Sequence, residues 1–214
     1  MKKLLLAAVA FAAVYAGAAN AGDFTYNLDV TSDYVFRGFS QTNAKPAVQG
    51  GIDYAKGMFY AGTWASSVDF ANGYELDLYA GVKPVVGKTS FDFGVITYQY
   101  GETGFNATEA KAAVSHPLYK GTIGAAFYDN LDYGSTFYYE VNGSYPLTDK
   151  LSVSGAVGEQ ALSGAKYSTG NIGLTYAITP MWSLDARYSD TNLPEIALLK
   201  VAKPRIALTL KAVF

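Results

Sequence analysis

Between Phe137 and Tyr145 the side chains change character at every step: Phe137, Tyr139, Val141, Gly143 and Tyr145 suit hydrocarbon, while Glu140, Asn142 and Ser144 are polar. A helix, with a period of about 3.6, would mix these two sets around its circumference, whereas a strand sends them to opposite faces. The same dyad recurs in Phe24, Tyr26, Leu28 and Val30 against Thr25, Asn27, Asp29 and Thr31. It returns in Tyr74, Leu76, Leu78, Ala80 and Val82 against Glu75, Asp77, Tyr79 and Lys83, and in Ile172, Leu174, Tyr176 and Ile178 against Asn171, Gly173 and Thr175. Near the end, Trp182, Leu184, Ala186 and Tyr188 oppose Ser183, Asp185, Arg187 and Ser189. If the apolar faces meet a bilayer, the sheet has to close on itself, because an open edge would leave amides unpaired in hydrocarbon.

The N-terminus indicates export. Met1-Lys2-Lys3 is basic, Leu4 to Ala19 is apolar and small, and Ala19-Asn20-Ala21 has the A-x-A form of a cleavage site. That stretch is shorter than the roughly 20 residues a spanning helix needs. It reads as a signal peptide over 1–21, leaving 22–214 as a single domain bound for the outer membrane of a Gram-negative bacterium. Without Lys2 and Lys3 the chain keeps 14 basic and 18 acidic residues, so it lacks the basic stripe that nucleic acid requires. With no cysteine, disulfides and thiol chemistry are excluded.

Turn residues divide the chain into strands near 24–38, 46–56, 58–69, 74–86, 89–101, 107–117, 121–131, 135–146, 150–161, 168–179, 181–190 and 204–214. The expected fold is all-β, a transmembrane up-and-down antiparallel β-barrel of about twelve strands, and an even count puts both ends on one side. Tight periplasmic turns fall at Lys56-Gly57, Gly87-Lys88, Pro117 to Lys120, Leu147 to Asp149 and Pro180. Longer external loops fall at Ser40 to Lys45, Phe70 to Gly73, Glu102 to Asn106, Asp132 to Gly134, Ser163 to Tyr167 and Thr191 to Lys203. None of these is long enough to predict a plug. Strands 58–69 and 89–101 are apolar at both sets of alternate positions, so their facing is open. The last strand carries Ile206, Leu208, Leu210, Ala212 and Phe214 on one uninterrupted face, and its terminal aromatic matches the signal that barrel-assembly machinery reads. A soluble edge strand would be blunted by charge or proline.

Asp33-Tyr34-Val35-Phe36-Arg37-Gly38-Phe39-Ser40-Gln41-Thr42, followed by Pro46 to Tyr54, resembles the TorF family of porins. The resemblance continues through Phe59 to Asp69 and Glu75 to Gly81. It implies a small proteobacterial outer-membrane barrel with pore activity and brings no catalytic residues.

Extending the alternation assigns to the lumen Asp29, Asp33, Arg37, Asp53, Glu75, Asp77, Lys83, Asp92, Glu109, Lys111, Glu140, Asp185, Arg187, Arg205 and Lys211, nine acids and six bases. Lys or Arg on the lipid face at the midplane would cost about 2–4 kcal/mol. Such a wall either favours cations or pairs its charges across strands to fill the interior. Arg37 lies four positions after Asp33, on the same strand face, so a lumen salt bridge, with Asp53 on the adjacent strand as another candidate, is expected in preference to a solute-ligand role. Tyr34, Phe36, Tyr60, Trp64, Tyr98, Tyr100, Tyr138, Tyr145, Trp182 and Tyr188 read as interfacial girdles, with a sugar-binding track left open for any that face inward.

Small outer-membrane barrels include lipid-modifying and proteolytic enzymes, and most such designs need a general base such as histidine beside a nucleophile. The single histidine, His116, directly follows Ser115, so the two point to opposite faces, and Pro117 places His116 at the rim. No cofactor or metal is expected. The sequence therefore leads to a porin passing small solutes or ions by passive diffusion through a narrow charged lumen. A structural barrel with a blocked lumen and a lipid-active outer-membrane enzyme are the alternatives. The partners would be outer-membrane lipid, the assembly machinery and the solutes themselves.

Overall fold

A computed structural model of the chain describes residues 23–70, 73–101, 106–193 and 197–214. The expected signal peptide, 1–21, lies outside the described residues. Twelve strands form the wall: β1 (Asp23–Thr31), β2 (Ala47–Lys56), β3 (Phe59–Ser67), β4 (Tyr74–Val82), β5 (Thr89–Gln99), β6 (Ala107–Leu118), β7 (Gly121–Asn130), β8 (Phe137–Pro146), β9 (Leu151–Leu162), β10 (Ala165–Ala177), β11 (Trp182–Thr191) and β12 (Arg205–Val213). Each pairs antiparallel with the next, and β12 closes on β1 from Asn27↔Val213 to Thr31↔Thr209. The fold is the expected closed, twelve-stranded antiparallel barrel. At Lys83-Pro84 the fourth strand is interrupted, since proline has no N–H for the ladder. Val85–Val86 then resumes pairing with β5 in an unchanged register.

Burial is inverted relative to a soluble protein. The largest fully buried side chains are Glu75 and Asp77, each 1% exposed, while Val157 and Ile206 are 66% and 68% exposed. Phe24, Leu28, Ile52, Leu78, Phe93, Val141, Ile172 and Leu208 continue this apolar outer surface. Such a band is far larger than a water-facing monomer tolerates. Register settles the two ambiguous strands: Trp64 lies opposite Asp77, and Asp77 opposite Tyr98. Tyr60, Trp64, Asp92 and Tyr98 therefore face inward, and Phe59, Phe93 and Val95 face outward. Gly62, paired with Tyr79, leaves room for the tyrosine ring, which would lie 2.5 Å from a Cβ placed there.

One end of the barrel has tight connections, including the two-residue turns Gly57-Met58, Gly87-Lys88 and Tyr119-Lys120. Both ends of the wall meet there, where the Phe214 N–H donates to the Tyr26 carbonyl at 2.9 Å. The other end differs from expectation in two loops. The connection expected over Ser163 to Tyr167 shrinks to Ser163-Gly164, because β9 and β10 pair out to Leu162↔Ala165 and Gly164 takes the positive φ of 84° that a tight turn demands. The first strand, expected to run to residue 38, stops at Thr31. Residues 32–46 leave the wall and turn into the barrel.

Candidate functional site in the barrel lumen

The inward segment is a miniature hairpin, Val35–Phe36 against Phe39–Ser40, with Arg37-Gly38 at its tip. Both tip residues have positive φ, 47° and 85°. This is the type I′ geometry whose twist suits a two-residue hairpin. Gly38 is required on a second count, since a Cβ there would collide with the Thr191 methyl and the Thr169 hydroxyl on the wall.

Two charged residues hold this plug. At its base, Asp33 accepts from Ser40 Oγ at 2.5 Å, Thr42 Oγ1 at 2.9 Å and Arg205 Nη1 at 2.7 Å. At its tip, Arg37 donates to both Glu109 oxygens, at 2.8 and 2.7 Å, and to Gln160 Oε1 at 3.0 Å. The guanidinium also lies over the rings of Tyr138 (4.4 Å), Phe36 (4.7 Å) and Tyr128 (5.0 Å). A bidentate, aromatic-lined setting suits arginine and not lysine. Burial lowers the pKa of Arg37, but the hydrogen bonds and charge of Glu109 outweigh it, so Arg37 ends above its ordinary value. Further contacts reach around the wall: Tyr34 packs on Trp64 at 5.4 Å, Phe36 on Tyr98 at 5.9 Å and Phe39 on Tyr167 at 5.1 Å. Tyr167 Oη donates to the Arg37 carbonyl at 3.2 Å. Burial, then the charges of Glu75 and Asp77, push the Tyr34 hydroxyl well above its usual range, so it remains a donor.

The Asp33–Arg37 bridge expected from strand spacing is therefore corrected. Each residue is ion-paired, but with Arg205 and Glu109 respectively, because the chain has left the strand and the hairpin turns Arg37 away from Asp33. Asp53 accepts instead from Tyr79 Oη at 2.7 Å.

The remaining singled-out residues form separate networks. Asp92 joins Lys111 at 2.7 Å, Lys83 at 3.8 Å and Tyr60 Oη at 2.7 Å. Around this network lies a cavity of about 40 Å³, lined by Tyr79 and Tyr128 among others, with room for no more than a few waters. Arg187 bonds to Asp185, to Asn171 Oδ1 at 2.7 Å and to Ser154 Oγ at 2.8 Å. Glu140 accepts from Tyr138 and Asn142, and Lys211 sits 3.5 Å from Asp29. Glu75 and Asp77 are buried beside the plug, while the described Phe214 is 56% exposed at the opposite end. Ser115 and His116 are both exposed, with His116 Nδ1 2.9 Å from Thr89 Oγ1.

The girdle expectation fails for most of its aromatics. Tyr145, Trp182 and Tyr188 are outside, but Tyr34, Phe36, Tyr60, Trp64, Tyr98, Tyr100 and Tyr138 are inside, several hydrogen-bonded to carboxylates. A narrow barrel fills its interior with side chains, and tyrosine serves as both bulk and donor. Gln160 was not anticipated: one glutamine in a strand gives no signal until a distant arginine reaches it.

The chain belongs to the Gcw_chp family, described as bacterial proteins of unknown function, which matches residues 15–214. The TorF likeness around Asp33 to Thr42 stands as a resemblance alone. No curated protein matches in sequence. Among solved structures, the fold is similar to the KdgM porin at TM-score 0.65 and 8% identity, covering 91% of this chain and 99% of that one. It is similar to the NanC porin at 0.64 and 9%, covering 87% and 98%. An outer membrane channel from Pseudomonas putida F1 follows at 0.57 and 14%, covering 92% and 97%. The architecture is thus that of outer-membrane porins and channels.

Proposed function

We propose that this barrel is a porin of the outer membrane, passing small solutes or ions by passive diffusion through a lumen narrowed by its first long loop. The observation that carries this reading is the plug itself: residues 32–46 are held inside by side-chain contacts centred on Arg37–Glu109, not by strands fused into the wall. Contacts of that kind can be exchanged for others without breaking the barrel. The KdgM porin has been solved in complex with disordered oligogalacturonate; at 8% identity that solute does not carry over. Here the inward carboxylates outnumber the inward bases, which favours cations.

In this reading residues 1–21 are the cleaved export signal, and the Phe214 strand is what the assembly machinery reads. The long-loop end faces outward. There a cavity of about 330 Å³, lined by Ser40, Gln41, Asn43, Asp69, Phe70, Lys200 and Val201, forms the mouth above the plug.

A blocked, purely structural barrel is favoured by one observation, the ion-paired Asp92, Lys111 and Lys83 side chains that occupy the lumen beneath the plug around a cavity of about 40 Å³. Planar-bilayer recording separates the two. The porin reading expects reproducible conductance from folded protein, raised severalfold by Arg37→Ala. The structural reading expects none from either.

A further inference from the structure

From the lumen wall we infer a cation-binding site made by Glu75 and Asp77, taking a hard divalent cation of the calcium class; the inference rests on the barrel placement above and deepens the porin reading. The two side chains sit two positions apart on β4, hence on the same inward face. Each is 1% exposed. Neither oxygen of Asp77 has a hydrogen-bond partner, nor has Glu75 Oε2. The other Glu75 oxygen, Oε1, accepts from Tyr100 Oη at 3.0 Å and lies 3.5 Å from Tyr34 Oη.

Three carboxylate oxygens without donors come from two adjacent buried acids; among the described residues one other such oxygen, Asp29 Oδ1, belongs to a carboxylate offset by Lys211 at 3.5 Å. Asp33, Asp53, Asp92, Glu109, Glu140 and Asp185 each accept at least one hydrogen bond or ion pair. A buried carboxylate without a partner is strongly disfavoured. Two that face each other must share a proton or hold a cation between them, and free carboxylate oxygens are the ligands that calcium and magnesium select; terbium binding decides between the two. Two carboxylates with water completing the shell is an arrangement such ions accept. Tyr34, from the plug, lies against Glu75, so an ion held here would sit beside the plug and couple its occupancy to the plug's position.

Trp64, opposite Asp77 in the register, supplies the readout. Terbium, a stand-in for calcium, emits when a nearby indole is excited, so full-length refolded barrel should show sensitised emission that saturates and is displaced by calcium. Asp77→Asn and Glu75→Gln should each reduce terbium affinity at least tenfold, with Asp53→Asn as a control that leaves it unchanged. Asp77→Asn removes an unpaired charge, so it should fold, and heat-modifiable migration on gels checks that. Absent emission in the wild type, or emission retained in the Glu75→Gln, Asp77→Asn double variant, overturns the site. Conductance measured on the same preparation keeps the two readings apart: current without terbium binding sinks the site alone, and terbium binding without current sinks the pore alone.

Discussion

Arg37 and Arg187 are both arginines inside the same barrel, and they are held in opposite ways. Arg187 is satisfied by its own neighbourhood, Asp185 two residues earlier, Asn171 on the adjoining strand and Ser154 one strand further. Arg37 finds partners 72 and 123 positions away, on walls that its own segment does not pair with. The first belongs to the wall, where backbone pairing has already brought its partners within reach. The second fixes where the segment 32–46 sits, with the side-chain contacts themselves supplying the position. The wall should therefore tolerate loss of a side-chain contact, while the plug should depend on a few.

The largest effect is expected where that dependence is greatest. Glu109→Ala leaves the Arg37 guanidinium buried without its carboxylate, and breaking such a pair costs about 3–5 kcal/mol. Urea unfolding in detergent micelles should show either that loss or release of the plug, seen as protease cleavage within residues 32–46. Asp185→Ala should cost less, since Asn171 and Ser154 continue to hold Arg187. Equal losses at both sites would erase the distinction between plug and wall.

The wall has its own weak point, on the lipid side. Val157, 66% exposed near the middle of β9, should not accept charge: Val157→Arg is expected to cost about 2–4 kcal/mol in vesicle folding titrations. It should leave the plug intact in whatever fraction folds. At the hairpin tip, Gly38→Ala meets both an unfavourable φ and the Thr191 methyl. Strain of this sort is worth on the order of 1–3 kcal/mol. Protease sensitivity of the first loop should rise while barrel unfolding stays near wild type.

The smallest effect belongs to Lys45–Asp69, an exposed pair at 2.8 Å above the plug. The hydrogen bond from Lys45 holds the Asp69 carboxyl below its usual range. Its contribution is present above the ordinary carboxylate range and is lost as pH falls through the lowered value. Lys45→Ala should leave unfolding midpoints unchanged at neutral pH and moderate salt.

Much of this fold could be read in the chain because a membrane barrel has a sharp rule for each strand face. Glu140 and Asn142 alternating with Tyr139 and Val141 can be satisfied in only one orientation. The rule was silent for β3 and β5, whose inward residues include Tyr60, Trp64 and Tyr98, apolar enough to pass as outward ones. There only cross-strand register decides. The plug was hidden for a related reason: Asp33, Val35 and Arg37 keep the alternation going past the point where pairing ends. The missed signal is local, a residue-glycine pair, Arg37-Gly38, between Val35-Phe36 and Phe39, which has the form of a two-residue hairpin. Where Arg37 lands could not be read at all, because Glu109 and Gln160 become its neighbours only once the barrel has closed.

Single-channel recording of wild-type and Arg37→Ala barrels in planar bilayers tests most directly whether a plug held by side chains narrows a conducting lumen. A plug of this kind gives small cation-preferring conductance in the wild type and a severalfold larger one in the variant. Correctly folded protein that stays electrically silent in both forms would contradict it.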